Sequence, residues 1–364
     1  MPILIELLKK VKDFRRPQGQ RHPLWLILLL VILGTMMGYM GYRAWARFAQ
    51  REGPLIAQAL NLKCHRWPSD ATIRRAISGI DETHLINIFN EWMSQINFDK
   101  KLSEGVSIDG KSLNSTVVNY HSEDQNFVSI VSRFSQATGW VLQVEQFTNK
   151  SGSEIEQVRE MIRRCTDTNQ LITLDALHCE KATLSLIKET GNDYLIPVKK
   201  NQKNLYKHLE SVSQSHLRES SYKELDKSHG RTITREVSVL KDVLNHKLKD
   251  WPKINSIIKV ERSGYRGQKS YQQTMYYISS LSEEASFFAR KIRGHWLIEN
   301  QLHWVKDVIL AEDDWPICQF RAATNISVLR TIALNLFRFL GFLSVTDAYK
   351  CLGQRVERYI FLLE

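Results

Sequence analysis

The chain has 364 residues, of which 50 are lysine or arginine and 39 are aspartate or glutamate, so its formal charge is +11. A hydrophobic fraction of 43% and a charged fraction of 24% are ordinary for a globular protein and exclude wholesale disorder, collagen-like repetition and low-complexity scaffolds. The length predicts two or three structural units, and the positive surplus favours a polyanion or an anionic membrane surface as partner.

The first 95 residues are predicted to form a basic, all-helical module, since they hold 13 basic and 7 acidic side chains. Within them, the 19 uncharged residues from Leu24 to Tyr42 meet the length criterion for a membrane-spanning helix. Three glycines and a threonine in this run, and the lack of a second such run, favour a buried core helix instead.

A second feature of this module is a helix start at Ser69 or Asp70, either of which can cap a helix that carries Arg74 and Arg75. This arginine pair has two interpretations. It could contact DNA, or it could be the solvated face of a helix.

From about residue 103 the pattern changes to strands that alternate with helices, which predicts an α/β fold with a mixed sheet and helices on its faces. Three further strand-like segments predict a β-rich insertion at about 203–285, and a long helical pattern begins near Ser286. The predicted elements before the insertion are strands at 104–110, 127–135, 140–148, 171–177 and 193–199 and helices at 153–165 and 180–190; those within it are strands at 232–240, 256–265 and 274–281.

The five cysteines are widely spread and form no Cys-x-x-Cys pair, so neither a disulfide framework nor a zinc ribbon is predicted. The mixed, charged N-terminal residues do not resemble a cleavable signal peptide. We therefore expect a cytoplasmic protein.

Three carboxylates stand in surroundings that are unusual for a solvated charge. Asp109 ends an apolar strand before Gly110, Asp175 lies within an apolar run, and Glu299 shares a helix face with core-type residues. Each alone could be a turn residue, a cap or half of a salt bridge. Together, two strand aspartates and one helix glutamate can converge at one sheet edge and hold two Mg²⁺ ions for phosphodiester transfer, with Mn²⁺ as an alternative.

A competing site uses histidine. His295, Glu299 and His303 are spaced i, i+4, i+8, and His178 follows Asp175 closely, which would suit a zinc hydrolase. The spacing is not that of H-E-x-x-H, and a helical histidine beside tryptophan is more often a packing residue.

Basic and amide side chains gather near the three acids and could neutralise phosphates without reading sequence. A solvated strand exit would give the same pattern around residue 199. These candidates for DNA contact are Lys111, Lys199, Asn201, Gln202, Arg293 and Lys306.

The segments SIDGK (107–111), TLDALHCEK (173–181), DYLIPVKKNQ (193–202), YYISSL (276–281) and RGHWLIENQLHWVKDVILAEDD (293–314) together resemble the DDE-type insertion-sequence transposases of the H-repeat-associated group. The N-terminal segments at 22–39 and 68–75 are similar to the helical module that precedes the catalytic domain in that group. The resemblance thus spans nearly the whole chain.

The resemblance implies an RNase H-like fold, two-metal strand cleavage at the ends of an insertion element, and strand transfer into target DNA. It implies that Asp109, Asp175 and Glu299 are the three acids. Related transposases carry a Tyr-x2-Arg-x3-Glu-x6-Lys signature around the third acid. This chain has Lys306 at the expected place but Ile292 and His295 at the tyrosine and arginine positions. His295, Arg293 and Trp296 are the candidates to replace the arginine as a phosphate contact, so His295 is a further candidate for DNA contact.

These observations predict a helical module at 1–95 for DNA ends or dimer contacts, a catalytic domain at 103–345 and a C-terminal tail at 346–364. The expected partner is double-stranded DNA, bound by a homodimer or higher multimer, with no membrane. The alternatives are a metal-dependent endonuclease of the same fold and a non-enzymatic DNA-binding protein.

Overall fold

The computed structural model describes residues 2–96, 105–117, 126–150, 152–214, 217–228, 231–240, 248, 250–266, 269–314, 317–353 and 355–360. Within these ranges the protein is a mixed α/β molecule built on one nine-stranded sheet. Glu104, the predicted first residue of the first strand, lies outside the described residues, as do residues 361–364 of the predicted tail.

Residues before the sheet form helices only. The cap predicted at Ser69 is confirmed, because its Oγ accepts a hydrogen bond from the backbone N–H of Thr72 at 3.3 Å. The five helices are α1 (Pro2–Lys9), α2 (Leu24–Met36), α3 (Tyr42–Ala59), α4 (Asp70–Gly79) and α5 (Glu82–Gln95).

Helix α2 is the centre of this helical part. Every residue of α2 except Trp25 is buried against other helices. The stretch Pro17–Met36 is apolar and long enough to cross a membrane, but 72% of it is buried inside the molecule, as expected for a core helix. The apolar run of the sequence is therefore part of the protein core.

The sheet has the strand order β3-β2-β1-β4-β5-β9-β8-β7-β6. Strands β1, β4 and β5 run parallel to one another, whereas the other neighbouring pairs are antiparallel. The bounds are β1 (Gly105–Ser112), β2 (Val128–Ser135), β3 (Val141–Thr148), β4 (Leu171–Thr173), β5 (Asp193–Val198), β6 (Arg218–Ser228), β7 (Arg231–Leu240), β8 (Ser256–Arg266) and β9 (Lys269–Ser279).

The remaining helices cover the sheet and connect it to the N-terminal helices. Two π-helical segments, Glu299–His303 and Val305–Ile309, follow α9. The helices are α6 (Glu154–Arg164), α7 (Lys181–Glu189), α8 (Lys203–Gln214), α9 (Ala285–His295), α10 (Phe320–Phe339), α11 (Val345–Leu352) and α12 (Glu357–Ile360).

Helix α10 joins the two halves of the chain into one hydrophobic core. It packs against α2, α4 and α5 on one side and against β3 on another. The Asn325 amide donates to the backbone oxygens of Ile77 and Ile80, and the Asn335 side chain pairs with both backbone groups of Val141. The N-terminal helices therefore share their core with a helix from the far end of the sequence.

The segment predicted as a C-terminal tail also belongs to this core. It contains α11 and α12, and the hydroxyls of Tyr349 and Tyr359 donate to the backbone oxygens of Thr35 and Met36 at the end of α2.

The structure differs from the prediction at the end of β4 and in the segment at 203–285. Strand β4 ends at Thr173 rather than 177, because the Asp175 side chain accepts a hydrogen bond from the Leu177 N–H at 2.9 Å and starts a helical turn. The segment at 203–285 is not a β-rich unit of its own. It begins with α8, and its strands extend the central sheet through the pairing of β9 with β5.

Candidate active site

Asp109 and Asp175 lie side by side because of the register of two parallel strands. Ser107 of β1 is paired with Thr173 of β4, so the aspartates, two residues further along each chain, reach the same level and the same face of the sheet. This level is the carboxyl end of β4, where an open α/β sheet commonly binds ligands.

A layer of small polar groups fixes α9 over this edge. Gln136 donates from Nε2 to the hydroxyls of Ser107 at 3.1 Å and Thr173 at 3.0 Å, and His295 Nδ1 lies 3.0 Å from the Thr173 hydroxyl. A Cβ at Gly294 would stand 2.3 Å from the Gln136 side-chain oxygen, so a larger residue there would have to displace the Gln136 amide.

Glu299 reaches Asp109 through the π-helical turn that follows α9. The backbone N–H of Trp304 bonds to the oxygen of Glu299, one residue further than in an α-helix. As a result His303 Nδ1 lies 3.1 Å from Glu299 Oε2 and 3.6 Å from Asp109 Oδ2. One ligand atom from each of these three residues falls within 4.8 Å of the others, a group that could hold a metal ion.

The three predicted acids, Asp109, Asp175 and Glu299, line one cavity of about 250 Å³; we call them the acidic edge. Lys199 and His295 line the same cavity, with apolar walls from β5, β9 and α9. The acids differ in exposure, since the Asp109 side chain is 29% exposed and the Asp175 and Glu299 side chains are about half exposed. The cavity thus gathers more negative than positive charge.

The electrostatics follow from burial and from neighbouring charges. Burial raises the pKa of Asp109 to about 6, and the nearby Glu154 and Asp175 add to this effect against the opposing influence of His303. The hydrogen bond from His303 lowers the pKa of Glu299. Burial lowers the pKa of His295 to about 4, so its ring is neutral near pH 7 and offers no cation in place of the arginine of related transposases.

Two lysines predicted to contact DNA are paired with acids instead; Lys306 is buried, and the Lys111 side chain is only 10% exposed. Lys111 Nζ pairs with Asp307 at 2.6 Å and Glu312 at 3.2 Å, and Lys306 Nζ is 3.3 Å from Glu312 and bonded to the Ser327 hydroxyl. Together with Arg330 and Asp313 these residues form what we call the ion network. Because its lysines are largely buried and already paired, neither is available on the surface for DNA.

The other predicted contacts are divided between structural and exposed positions. Asn201 and Gln202 donate to the backbone oxygens of Ala176 and Cys179, and so brace the turn after Asp175. The exposed side chains are those of Lys199, Arg293, Arg74 and Arg75.

Arg293 opens onto a second concavity of about 950 Å³, which we call the basic groove. Five basic side chains line it against one acid, Glu224, and Trp296 lies on both the groove and the acidic cavity. The basic residues are Arg235, Arg262, Arg290, Lys291 and Arg293.

The sequence interpretation missed two residues of the site. His303 was considered only for a zinc site with His295, yet His295 is bonded to Thr173, and His303 faces Asp109. Glu154 was not singled out in the sequence. Its carboxyl lies against Gly110, next to Asp109.

Comparison with known proteins agrees with this geometry. Residues 5–93 match the family model described as "DDE_Tnp_1-associated", and residues 102–336 match the model described as "Transposase DDE domain". The chain is 30% identical over 348 residues to "Putative transposase YncI" of Escherichia coli O157:H7, covering 92% of this chain and 87% of that protein.

It is also 29% identical over 349 residues to "H repeat-associated putative transposase YhhI" of Escherichia coli strain K12, covering 92% of this chain and 89% of that protein. The resemblance indicated by the sequence motifs is thereby confirmed. The chain belongs to the DDE transposase family, within its H repeat-associated group.

Proposed function

We propose that this protein cleaves DNA strands at the ends of an insertion element and joins the freed ends to target DNA. One observation carries the proposal: Asp109, Asp175 and Glu299, from three separate parts of the chain, line a single cavity at the carboxyl edge of the sheet. The fold supports it, since β1 to β5 form a continuous mixed sheet with helices packed on it, as an RNase H-like domain requires.

The donor set fits divalent cations. Asp109 and Glu299 would hold one, with His303 as a hydrogen-bonding or ligating neighbour, and Asp109 with Asp175 would hold a second. Carboxylate oxygens suit Mg²⁺ or Mn²⁺, and Mg²⁺ completes its shell with water and phosphate oxygens. When bound, such cations lower the pKa of an attacking water or hydroxyl and stabilise the leaving oxygen.

The residues of the chain then have distinct tasks. Asp109, shared between both cation positions, would have to be ionised, and its pKa, which burial raises to about 6, would fall when a cation binds beside it. The Nδ1 of His303 holds the Glu299 carboxylate in place. Water attacks the element end first and frees a 3′-hydroxyl, which attacks the target strand next.

The basic groove supports double-stranded DNA as the partner. In the sheet, Arg235 of β7 stands directly opposite Arg262 of β8, an arrangement of like charges that is unfavourable unless an anion is near. Glu224 pairs with Arg235 and Arg293, which leaves Arg262 and Arg290 to contact phosphates. The exposed rings of Trp296 and Tyr222 add aromatic surface to the groove.

The remaining assignments belong to the same proposal. Residues 1–95 serve DNA-end binding or dimer contacts, 103–345 form the catalytic domain, and the protein acts in the cytoplasm as a homodimer or higher multimer on DNA. Arg74 and Arg75, both exposed on α4, are the contact residues proposed for the helical module.

The test is Mg²⁺-dependent cleavage of a DNA that carries the element's ends, with wild type beside Asp109→Ala. We expect cleavage by wild type alone and none without the cation. Equal cleavage by both proteins would sink the assignment. Equal cleavage of end and scrambled DNA by wild type would indicate an endonuclease without end recognition.

A further inference from the structure

A second histidine–carboxylate contact lies beside the acidic edge, towards α6. His178 is only 1% exposed, and its Nε2 is 3.2 Å from Glu154 Oε1 and 3.8 Å from Asp175 Oδ1. One buried ring nitrogen therefore faces two carboxylates, of which Asp175 belongs to the acidic edge and Glu154 does not.

The Glu154 side chain approaches the acidic edge across Gly110 of strand β1, where no side chain stands in its way. A Cβ at residue 110 would stand 2.7 Å from Glu154 Cδ and 2.8 Å from its Oε2, so the carboxyl occupies the space that a side chain at Gly110 would fill. Gly110 directly follows Asp109, and its missing side chain lets a carboxylate from the α6 side reach the level of the aspartate.

Helix α6 also places Glu154 where a negative charge is favourable. The helix begins at Glu154, and Ser153 caps it by accepting a hydrogen bond from the Glu156 N–H. A negative charge in the first turn interacts favourably with the helix dipole. The Glu154 side chain is 26% exposed, so it remains accessible to solvent and small ions.

We propose that Glu154 is a fourth carboxylate of the cation-binding edge, held there by His178 and admitted by Gly110. Its charge strengthens the binding of the cation next to Asp109 and Asp175. The inference rests on the proposed function, because it assigns a further residue to the same site.

Direct binding of Mn²⁺ alone tests the inference. Full-length wild type, Glu154→Gln and the control Glu156→Gln are titrated calorimetrically without DNA. Glu156 lies on the same helix, but its side chain is 63% exposed and pairs with Arg159. Glu154→Gln removes one negative charge near the cation position between Asp109 and Asp175, so Mn²⁺ is expected to bind there about tenfold more weakly. The Mn²⁺ affinity of the control should equal that of wild type.

A second variant, Gly110→Ala, displaces the Glu154 carboxylate without replacing Glu154 itself. In Gly110→Ala the new methyl group must displace the end of the flexible Glu154 side chain, so Mn²⁺ binding should weaken as in Glu154→Gln. Thermal unfolding checks that both variants are folded. Unchanged Mn²⁺ affinity in Glu154→Gln would overturn the inference.

Cleavage assays separate this inference from the proposed function. If wild type cleaves end DNA, Glu154→Gln should need about tenfold more Mg²⁺ for half-maximal rate and recover near-normal rates at saturating Mg²⁺. A wild type that binds Mn²⁺ but cleaves nothing contradicts the proposed function, while the calorimetric comparison still decides the role of Glu154. Normal cleavage with the same Mg²⁺ requirement in both proteins contradicts the role of Glu154 alone.

Discussion

The acidic edge and the ion network share two parts of the chain, but their carboxylates are neutralised to different degrees. Strand β1 contributes Asp109 to the first and Lys111 to the second, and the π-helical segments contribute Glu299 and Lys306. In the ion network three cations face three carboxylates. At the acidic edge, among the residues that line the cavity, three carboxylates lie beside Lys199 and His295.

This difference in charge balance distinguishes the ion network, a structural cluster, from the acidic edge, the proposed site. In the ion network, burial raises the pKa of Glu312, but Lys306, Lys111 and Arg330 outweigh it and bring the pKa to about 2, so the acid is fully compensated. Burial raises the pKa of Asp109 to about 6, because the opposing influence of His303 does not outweigh burial and the charges of Glu154 and Asp175. A carboxylate with a pKa raised in this way, in a cavity, is a candidate position for a ligand that supplies positive charge.

The largest effect is expected when Asp109 is replaced by Asn. The rate of end cleavage should fall roughly 1,000-fold or more, because a cation ligand worth several kcal/mol is lost. The stability of the metal-free protein, in contrast, should increase in this variant. The folded-state pKa lies above the unfolded value, so ionised Asp109 destabilises the metal-free protein as pH rises from about 4 through about 6.

At pH 8 the free energy of unfolding of the Asn variant should therefore exceed that of wild type by on the order of 1 kcal/mol. This value is reduced for the partial exposure of the site to solvent. Chemical denaturation in EDTA measures this difference, and Mg²⁺ should reverse it by stabilising wild type alone. A variant less stable than wild type in EDTA would show that Asp109 is compensated within the protein.

The second prediction concerns the ion network. Glu312→Gln should lower the free energy of unfolding by about 3–5 kcal/mol, because it leaves buried cations without their partner. Urea denaturation followed by circular dichroism measures the loss, with exposed Glu283→Gln as the control. Because the pKa of Glu312 is depressed, its contribution is present above about pH 4.5 and is lost as pH falls towards 2. A loss below 1 kcal/mol would mean that the network is not a structural support.

The same contrast explains what sequence reasoning could recover. Asp109, Asp175 and Glu299 stood out because each interrupts an apolar pattern, and strand ends reliably meet at a sheet edge. Lys111 and Lys306 also stand near these acids in sequence, but their partners Glu312 and Asp313 come from a loop whose path depends on tertiary packing. Local pattern cannot distinguish a lysine that is paired internally from one that faces a ligand.

Two errors in the predicted fold have a similar origin. Strand β6 (Arg218–Ser228) was missed, because it is a polar edge strand without the alternating apolar residues that mark a half-buried strand. The shared core of α10 with the N-terminal helices could not be read from either segment alone, since each is apolar enough to be buried against many partners.

The third prediction extends the comparison to positive charge. If the basic groove binds phosphates, Arg262→Gln should weaken DNA binding several-fold at moderate salt, and the slope of log affinity against log salt should decrease by about 1. Fluorescence anisotropy with labelled duplex DNA measures both quantities. Lys350→Gln removes an exposed charge from α11, away from the groove, and should change neither. Equal effects of both variants would show that the basic groove contributes only net charge and makes no specific phosphate contact.

The smallest effect tests whether histidine supplies positive charge at the acidic edge. The pKa of His295 is about 4, mainly through burial, whereas an unfolded histidine titrates near 6.5. As pH falls from 6.5 towards 4, the unfolded state binds more protons, so His295 costs stability in this window. His295→Gln should flatten that decline in urea denaturation between pH 7 and 5, and the His295 ring should remain unprotonated there by NMR. A ring that titrates above 6.5 would place a cation beside Asp175 and remove the contrast with the ion network.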